Sequence, residues 1–126
     1  MSAVEKYPYK KELGAWGEEY ACSYLLQDGA QIIERNARTP FGEIDIVARQ
    51  NGLYVFIEVK TRSSVLGGYP EEAITTEKIK HMEESIGWHL ENHPEIGDRW
   101  RVDVISIVGS PKSKTTPILE WWQNEF

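Results

Sequence analysis

Hydrophobic residues recur along the chain at helical spacing in two stretches and in strand-like runs in five. The helical stretches are residues 10–29, which end at Gly29, and residues 76–92, which are followed by Pro94. Apolar runs and alternations predict strands at 30–36, 43–49, 53–59, 100–108 and 118–122. The resulting order, α-β-β-β-α-β-β, predicts an α/β fold with a mixed central sheet of about five strands flanked by helices.

Short connections are predicted between these elements. Residues 37–42 and 63–73 carry Gly and Pro and predict loops, whereas Asn51-Gly52 between two strands predicts a tight hairpin turn. The chain has 126 residues and shows no repeat, low-complexity tract or linker. We therefore expect a single domain that spans residues 1–126.

The hairpin turn also predicts the register of its two strands. Asp45 then faces Glu58, and Glu43 faces Lys60. One face of the hairpin is wholly apolar and is predicted to be core; it carries Ile44, Ile46, Ala48, Leu53, Val55, Ile57 and Val59. The opposite face is apolar in the middle and charged at the end away from the turn.

Two carboxylates, those of Asp45 and Glu58, are thus expected within reach of one cation. Without a cation their repulsion costs about 0.2–1 kcal/mol, which a sheet selected for stability alone has no reason to keep. Magnesium typically takes one or two carboxylates together with water and phosphate oxygens. The alternative is a solvated strand end, where Glu43 and Lys60 form an ordinary cross-strand ion pair.

Composition and charge restrict the class of protein and the cellular compartment that we expect. Hydrophobic residues make up 40% and charged residues 27%, which suits a packed core. The single cysteine, Cys22, excludes an internal disulfide and indicates a reducing compartment. No run resembles a signal peptide or membrane span, so a cytoplasmic protein is expected. The net charge of −6 argues against a protein that coats nucleic acid with its whole surface, but not against a local basic rim.

The segment GEIDIVARQNGLYVFIEVKTR, residues 42–62, resembles the signature of the YraN family of small bacterial proteins. The resemblance covers most of the chain, through GAWGEEYACSYL, RNAR, YPEEAITTEKI and RWRVDVISI, and is weaker in ILEWWQNEF. That family is similar to the PD-(D/E)xK nucleases, and in particular to archaeal Holliday-junction resolvases. The resemblance implies a restriction-endonuclease-like fold and metal-assisted phosphodiester hydrolysis.

The resemblance also implies the residues of a catalytic site. Asp45 corresponds to the first acidic ligand, and Glu18 to an acidic residue on the first helix. Glu58 and Lys60 correspond to the E-x-K element, although GEID lacks the proline that often precedes the aspartate. The three acids imply a magnesium site, which manganese can also fill. Lys60 is expected to orient the attacking water rather than act as a base, because adjacent carboxylates keep it charged. Glu43 is either a further ligand or, as we expect, the partner that holds Lys60.

Basic residues near the signature are candidate phosphate contacts, through charge and, for arginine, a bidentate fork. Arg38 and Arg62 flank the signature, and Lys78 lies near the start of the second helix. The wider set adds Arg35, Thr61 and Lys80. Each of these is also compatible with an ordinary surface position.

Two pairs of side chains suggest other chemistry and are given structural interpretations. His89 and His93 lie one helical turn apart, but no third zinc ligand accompanies them, so a surface pair is expected. Trp121 and Trp122 are candidates for base stacking. Because neighbouring residues on a strand point to opposite faces, at most one of them is expected to stack while the other packs.

Together these features predict a magnesium-dependent endonuclease that acts on DNA. The similarity to resolvases adds branched or junction DNA as the substrate and a homodimer as the assembly, with exposed tryptophans at the interface. One alternative is a non-catalytic nucleic-acid-binding protein that keeps a nuclease-like site. Another is an adaptor domain whose acidic cluster only titrates, which the net acidity favours.

Overall fold

A five-stranded sheet with a helix on each face forms the centre of the protein. The computed structural model describes residues 3–64 and 76–124. Its elements are α1 (Ala3–Gln27), β1 (Gln31–Thr39), β2 (Gly42–Gln50), β3 (Leu53–Arg62), α2 (Thr76–Asn92), a short 3-10 turn (Pro94–Ile96), β4 (Trp100–Val108) and β5 (Ile118–Trp122). The predicted order of helices and strands is confirmed.

The main differences from prediction lie at element ends. The predicted loop at 37–42 is only a turn at residues 40 and 41, because Thr39 pairs with Gly42 and both strands continue up to it. Helix α1 begins at Ala3 and β3 continues to Arg62, so both are longer than predicted. The part of the predicted 63–73 connection beyond residue 64 lies outside the described residues.

The strands lie in the spatial order β1-β2-β3-β4-β5. Among the described strands only β3 and β4 pair in parallel, and α2 lies on the crossover between them, as a parallel connection requires. The β2–β3 hairpin has the predicted register, with Gln50 opposite Leu53. Its turn places Asn51 at φ 52° and Gly52 at φ 81°, the conformation that makes Asn-Gly favourable there.

Apolar side chains fill both faces of the sheet. On one face α1 contributes Ala21, Cys22 and Leu25 to a cluster with strand residues such as Ile57 and Ile105. On the other face Ile86 of α2 packs with Val47, Phe56 and Val102. This three-layer α/β arrangement around a mixed sheet is consistent with the predicted restriction-endonuclease-like fold. Within the described part of the chain, no helix is long and apolar enough to cross a membrane.

The prediction that all the apolar residues of the hairpin share one face is wrong for Ile44. Ile44 packs in the α2-side cluster with Val47 and Phe56, whereas Ile46 packs in the α1-side cluster. Residues two apart on a regular strand share a face, so β2 departs from regular alternation between these two isoleucines. Asp45 is the residue at that break.

Candidate functional site

Asp45 lies where the β2–β3 ladder ends. The described pairing stops at Ile46 opposite Ile57, so the predicted ladder pair of Asp45 with Glu58 does not form. Instead, the backbone N–H of Val59 donates a hydrogen bond of 2.8 Å to Asp45 Oδ2. This bond still places the Asp45 carboxyl close enough to Glu58 for the two side chains to interact.

The environment of Asp45 disfavours its ionised form. Burial is the largest cause, followed by the negative charge of Glu58, while the Val59 N–H opposes them and Glu18 adds a smaller repulsion. Together these effects raise the pKa of Asp45 from 3.8 to about 8. Without a cation, Asp45 therefore carries a proton at neutral pH.

The stability of the metal-free protein should consequently depend on pH through Asp45. The folded-state pKa of about 8 exceeds the ordinary value of 3.8, so the stabilisation is complete below the ordinary value and is lost as the pH rises through about 8. Asp45→Asn keeps an acceptor for the Val59 N–H but cannot ionise. Thermal denaturation in EDTA should show equal melting temperatures near pH 4 and a variant several degrees more stable near pH 9. A difference that does not change with pH would contradict this origin of the shift.

Lys60 is paired within the same hairpin strand. Its Nζ lies 3.3 Å from Glu58 Oε1, and the two side chains are 18% and 21% exposed. Glu43, the predicted partner of Lys60, instead lies 3.6 Å from Arg38 on β1. The prediction that Glu43 holds Lys60 is therefore wrong: β1 offers Glu43 a cation directly across the ladder, and Glu58 is nearer to the lysine.

Glu18 on α1 reaches the same end of the sheet. Burial raises its pKa, Arg35 and Asn36 partly offset that effect, and the charges of Glu43 and Glu58 add to it. Helix α1 comes this close because Gly17 packs against Thr61 on β3. A methyl group at Gly17 would overlap Thr61 Oγ1 and lie 2.9 Å from its Cβ. The glycine that weakens helix propensity thus sets the position of Glu18.

Adding a methyl group at Gly17 should move α1 away from β3. We expect Gly17→Ala to lower the free energy of unfolding by about 1–3 kcal/mol, measured by urea denaturation, because no space remains between Gly17 and Thr61 for a methyl group. Gly14→Ala is the matched control: that position has no atom within 4 Å, so it should gain about 0.5–1 kcal/mol from helix propensity. Equal effects at the two glycines would contradict the role of the close contact.

A cavity of about 180 Å³ opens beside the Glu58–Lys60 pair, between the β1–β2 turn and α2. Its lining residues are Phe41, Gly42, Glu43, Glu58, Lys60, Lys78, His81, Met82 and Ser85. The sequence pattern identifies Lys78 but not Phe41, His81 or Ser85 as site residues. A signal was nevertheless present, because Lys78, His81, Met82 and Ser85 share one helical face at spacings of three and four.

The other predicted phosphate contacts are not among the described residues that line the cavity. Arg35 forms an ion pair of 2.8 Å with Glu19 on α1. The Thr61 side chain packs against Gly17 of α1. Arg38 is 89% exposed beside Glu43 at the mouth of the site. Arg62 and Lys80 are not among the described residues that line the cavity.

One residue of each predicted histidine and tryptophan pair packs within the fold. His89 is buried, so the predicted surface pair is wrong: its ring lies 4.0 Å from that of His93 and 5.5 Å from that of Phe56. Burial and the neighbouring imidazole lower the pKa of His89. Trp121 packs against the α1-side core, whereas Trp122 is exposed, as strand alternation predicts.

The donor set at the hairpin suits magnesium better than zinc. Among the described residues, no three His, Cys, Asp or Glu side chains converge closely enough to hold a metal by themselves. Magnesium needs only one or two carboxylates, and completes its shell with backbone oxygens, water and substrate phosphate. The adjacent Asp45 and Glu58 carboxyls fit that requirement, with Glu18 farther out on α1.

Comparison with known proteins gives the family of the chain. Residues 17–107 match the sequence profile described as "Uncharacterised protein family UPF0102". A UPF0102 protein of Syntrophomonas wolfei is 43% identical over 86% of this chain and 96% of its own length. A UPF0102 protein of Syntrophotalea carbinolica is 42% identical over 75% of this chain and 77% of its own. The resemblance to the YraN family is thereby confirmed, and the chain belongs to the UPF0102 family.

Proposed function

We propose that this protein is a magnesium-dependent endonuclease that hydrolyses phosphodiester bonds in DNA. The observation that carries the proposal is the Asp45 carboxyl, which the Val59 N–H holds against Glu58 although burial and repulsion raise its pKa to about 8. Ionisation of both carboxyls in such a pair destabilises the fold, whereas a divalent cation between them would offset their repulsion. Lys60 beside Glu58 completes a set of two acids and a lysine.

The site residues divide the chemistry among them. Asp45 and Glu58 would hold the cation, with the Val59 carbonyl and Glu18 as further oxygen ligands. When bound, magnesium would polarise a phosphate oxygen, acidify a water molecule and stabilise the charge that develops during hydrolysis. The Lys60 ammonium, held at the cavity by Glu58, would orient the attacking water and offset the phosphate charge.

The substrate and assembly follow from the resemblance to resolvases rather than from the site. Branched or junction DNA is the proposed substrate, and two copies of the chain would cut its strands symmetrically in the cytoplasm. Trp100 and Trp122, which are 37% and 46% exposed, are candidate interface residues. Manganese should replace magnesium, since both accept oxygen ligands.

Cleavage of end-labelled DNA tests the proposal. A four-way junction, a linear duplex and a single strand are incubated with the wild-type protein in magnesium, manganese or EDTA. We expect strand cleavage of at least one substrate with either metal and none in EDTA. Absence of product from every substrate would overturn the nuclease proposal, and metal-independent binding without cleavage would favour a non-catalytic nucleic-acid-binding protein.

A further inference from the structure

Phe41 is an exposed aromatic residue at the rim of the candidate site. It occupies the two-residue turn between β1 and β2, and it is 44% exposed. Its side chain belongs to neither core cluster, yet it lines the cavity that contains Glu58 and Lys60. Core packing among residues 3–64 and 76–124 therefore does not explain an aromatic ring at this position.

The turn that carries Phe41 is fastened to α2. The Phe41 backbone N–H donates to Thr39 Oγ1 at 3.1 Å, and the same hydroxyl donates to the Gly42 carbonyl at 2.7 Å. Thr39 Oγ1 also lies 3.0 Å from the hydroxyl of Ser85, which is 2% exposed on α2. The ring is thus carried by an anchored turn, so a partner that stacks on it meets a backbone that is already ordered.

The cavity below the ring combines charges of both signs. Lys60, Lys78 and His81 provide nitrogen donors, and Glu43 and Glu58 provide carboxylates. The lysines suit a phosphate group, and the carboxylates belong to the proposed cation site beside it. A volume of about 180 Å³ has room for part of one nucleotide rather than for a duplex.

We infer that Phe41 stacks against an unpaired base next to the phosphate that is cleaved. The inference rests on the proposed nuclease function, because it takes the phosphate to lie at the Glu58–Lys60 pair. In a continuous duplex both faces of each base are covered by its neighbours, so only an unstacked nucleotide can present a free face to the ring. The substrate class is therefore DNA with an unpaired nucleotide at or beside the cut.

Binding without cleavage tests this inference. Fluorescence anisotropy in EDTA compares a duplex that carries one unpaired nucleotide with the fully paired duplex. The wild-type protein should prefer the first, and Phe41→Ala should weaken binding to it by about 5- to 150-fold while leaving the weaker binding to paired duplex unchanged. Phe41→Trp should retain the preference because its ring also stacks.

The matched control is Ile33→Ala, which removes a side chain of similar exposure, 45%, that is not among the described cavity-lining residues. It should bind both duplexes as the wild-type protein does.

Equal binding of both duplexes by the wild type, or an unchanged preference in a folded Phe41→Ala protein, would overturn the inference. A Phe41-dependent preference without cleavage in magnesium would support stacking while the nuclease proposal fails. Cleavage without that preference would support the nuclease alone.

Discussion

Asp45→Asn should reduce magnesium-dependent DNA cleavage by about 10³-fold or more, without loss of folded protein. The substitution removes the charge that would hold the cation, and charge stabilisation by a metal contributes several kcal/mol, each 1.4 kcal/mol of which is about tenfold in rate. An asparagine oxygen can still accept the 2.8 Å hydrogen bond from Val59, so the end of the hairpin should remain in place. Rates are measured by single-turnover cleavage and folding by circular dichroism.

Two further variants make this result specific. Lys60→Ala should lose activity to a similar extent, because it removes the ammonium group that lies 3.3 Å from Glu58. Glu120→Gln, on the exposed edge strand, removes a carboxylate outside the site and should retain full activity. Cleavage by Asp45→Asn at a rate within a few-fold of that of the wild-type protein would show that another group performs the reaction.

Asp103→Ala should be the most destabilising single change among the polar residues, lowering the free energy of unfolding by about 3–5 kcal/mol. Asp103 has no exposed surface and accepts hydrogen bonds from Arg101 Nε, Trp121 Nε1 and the Asn124 backbone N–H, at 3.1, 2.8 and 2.8 Å. Its removal leaves the Arg101 guanidinium, on a side chain only 14% exposed, without its carboxylate. A fall in melting temperature of about 10 °C or more is expected by calorimetry.

Two further variants separate the effect of the buried charge on stability from the effect of side-chain volume. Asp98→Ala removes an exposed aspartate nearby and should change stability by no more than about 0.5 kcal/mol. Replacing both partners, as Arg101→Met with Asp103→Leu, should recover part of the loss, because no unpaired charge then stays buried, whereas the Trp121 and Asn124 N–H groups still lack their acceptor. If Asp103→Ala cost no more than Asp98→Ala, the network would not stabilise β5.

The sequence predicts the fold well where the signal is local. Helix α2 and β4 have strong periodicity, and Asn51-Gly52 needs only its own backbone preference to define the hairpin register. The sequence does not predict the extension of β1 to Thr39, because the last residues of β1 depend on pairing with β2, which outweighs their loop-like composition.

Part of the candidate site is also predictable from local sequence signals. Asp45, Glu58 and Lys60 lie on one hairpin, so turn and alternation bring them near each other. Two features of the site depend on segments far apart in the chain: the break of alternation at Asp45 and the contact between Thr39 and Ser85. The periodicity of hydrophobic residues in the sequence does not predict either of them. Asp103 is the clearest case. Arg101 and Asp103 alternate with apolar residues, a pattern typical of a strand face exposed to solvent. In the structure Trp121 and Asn124, which are distant in sequence, donate hydrogen bonds to Asp103 and help to bury it.

Calorimetric titration of manganese chloride into the metal-free protein near pH 7, in buffers of different ionisation enthalpy, tests most directly whether the Asp45–Glu58 pair is a metal centre. Because the pKa of Asp45 is raised to about 8, binding should release protons, and the observed heat should change with the buffer. Asp45→Asn should bind far more weakly, with no comparable proton release. Absence of binding to the wild-type protein, or equal binding by Asp45→Asn, would contradict a metal centre at this pair.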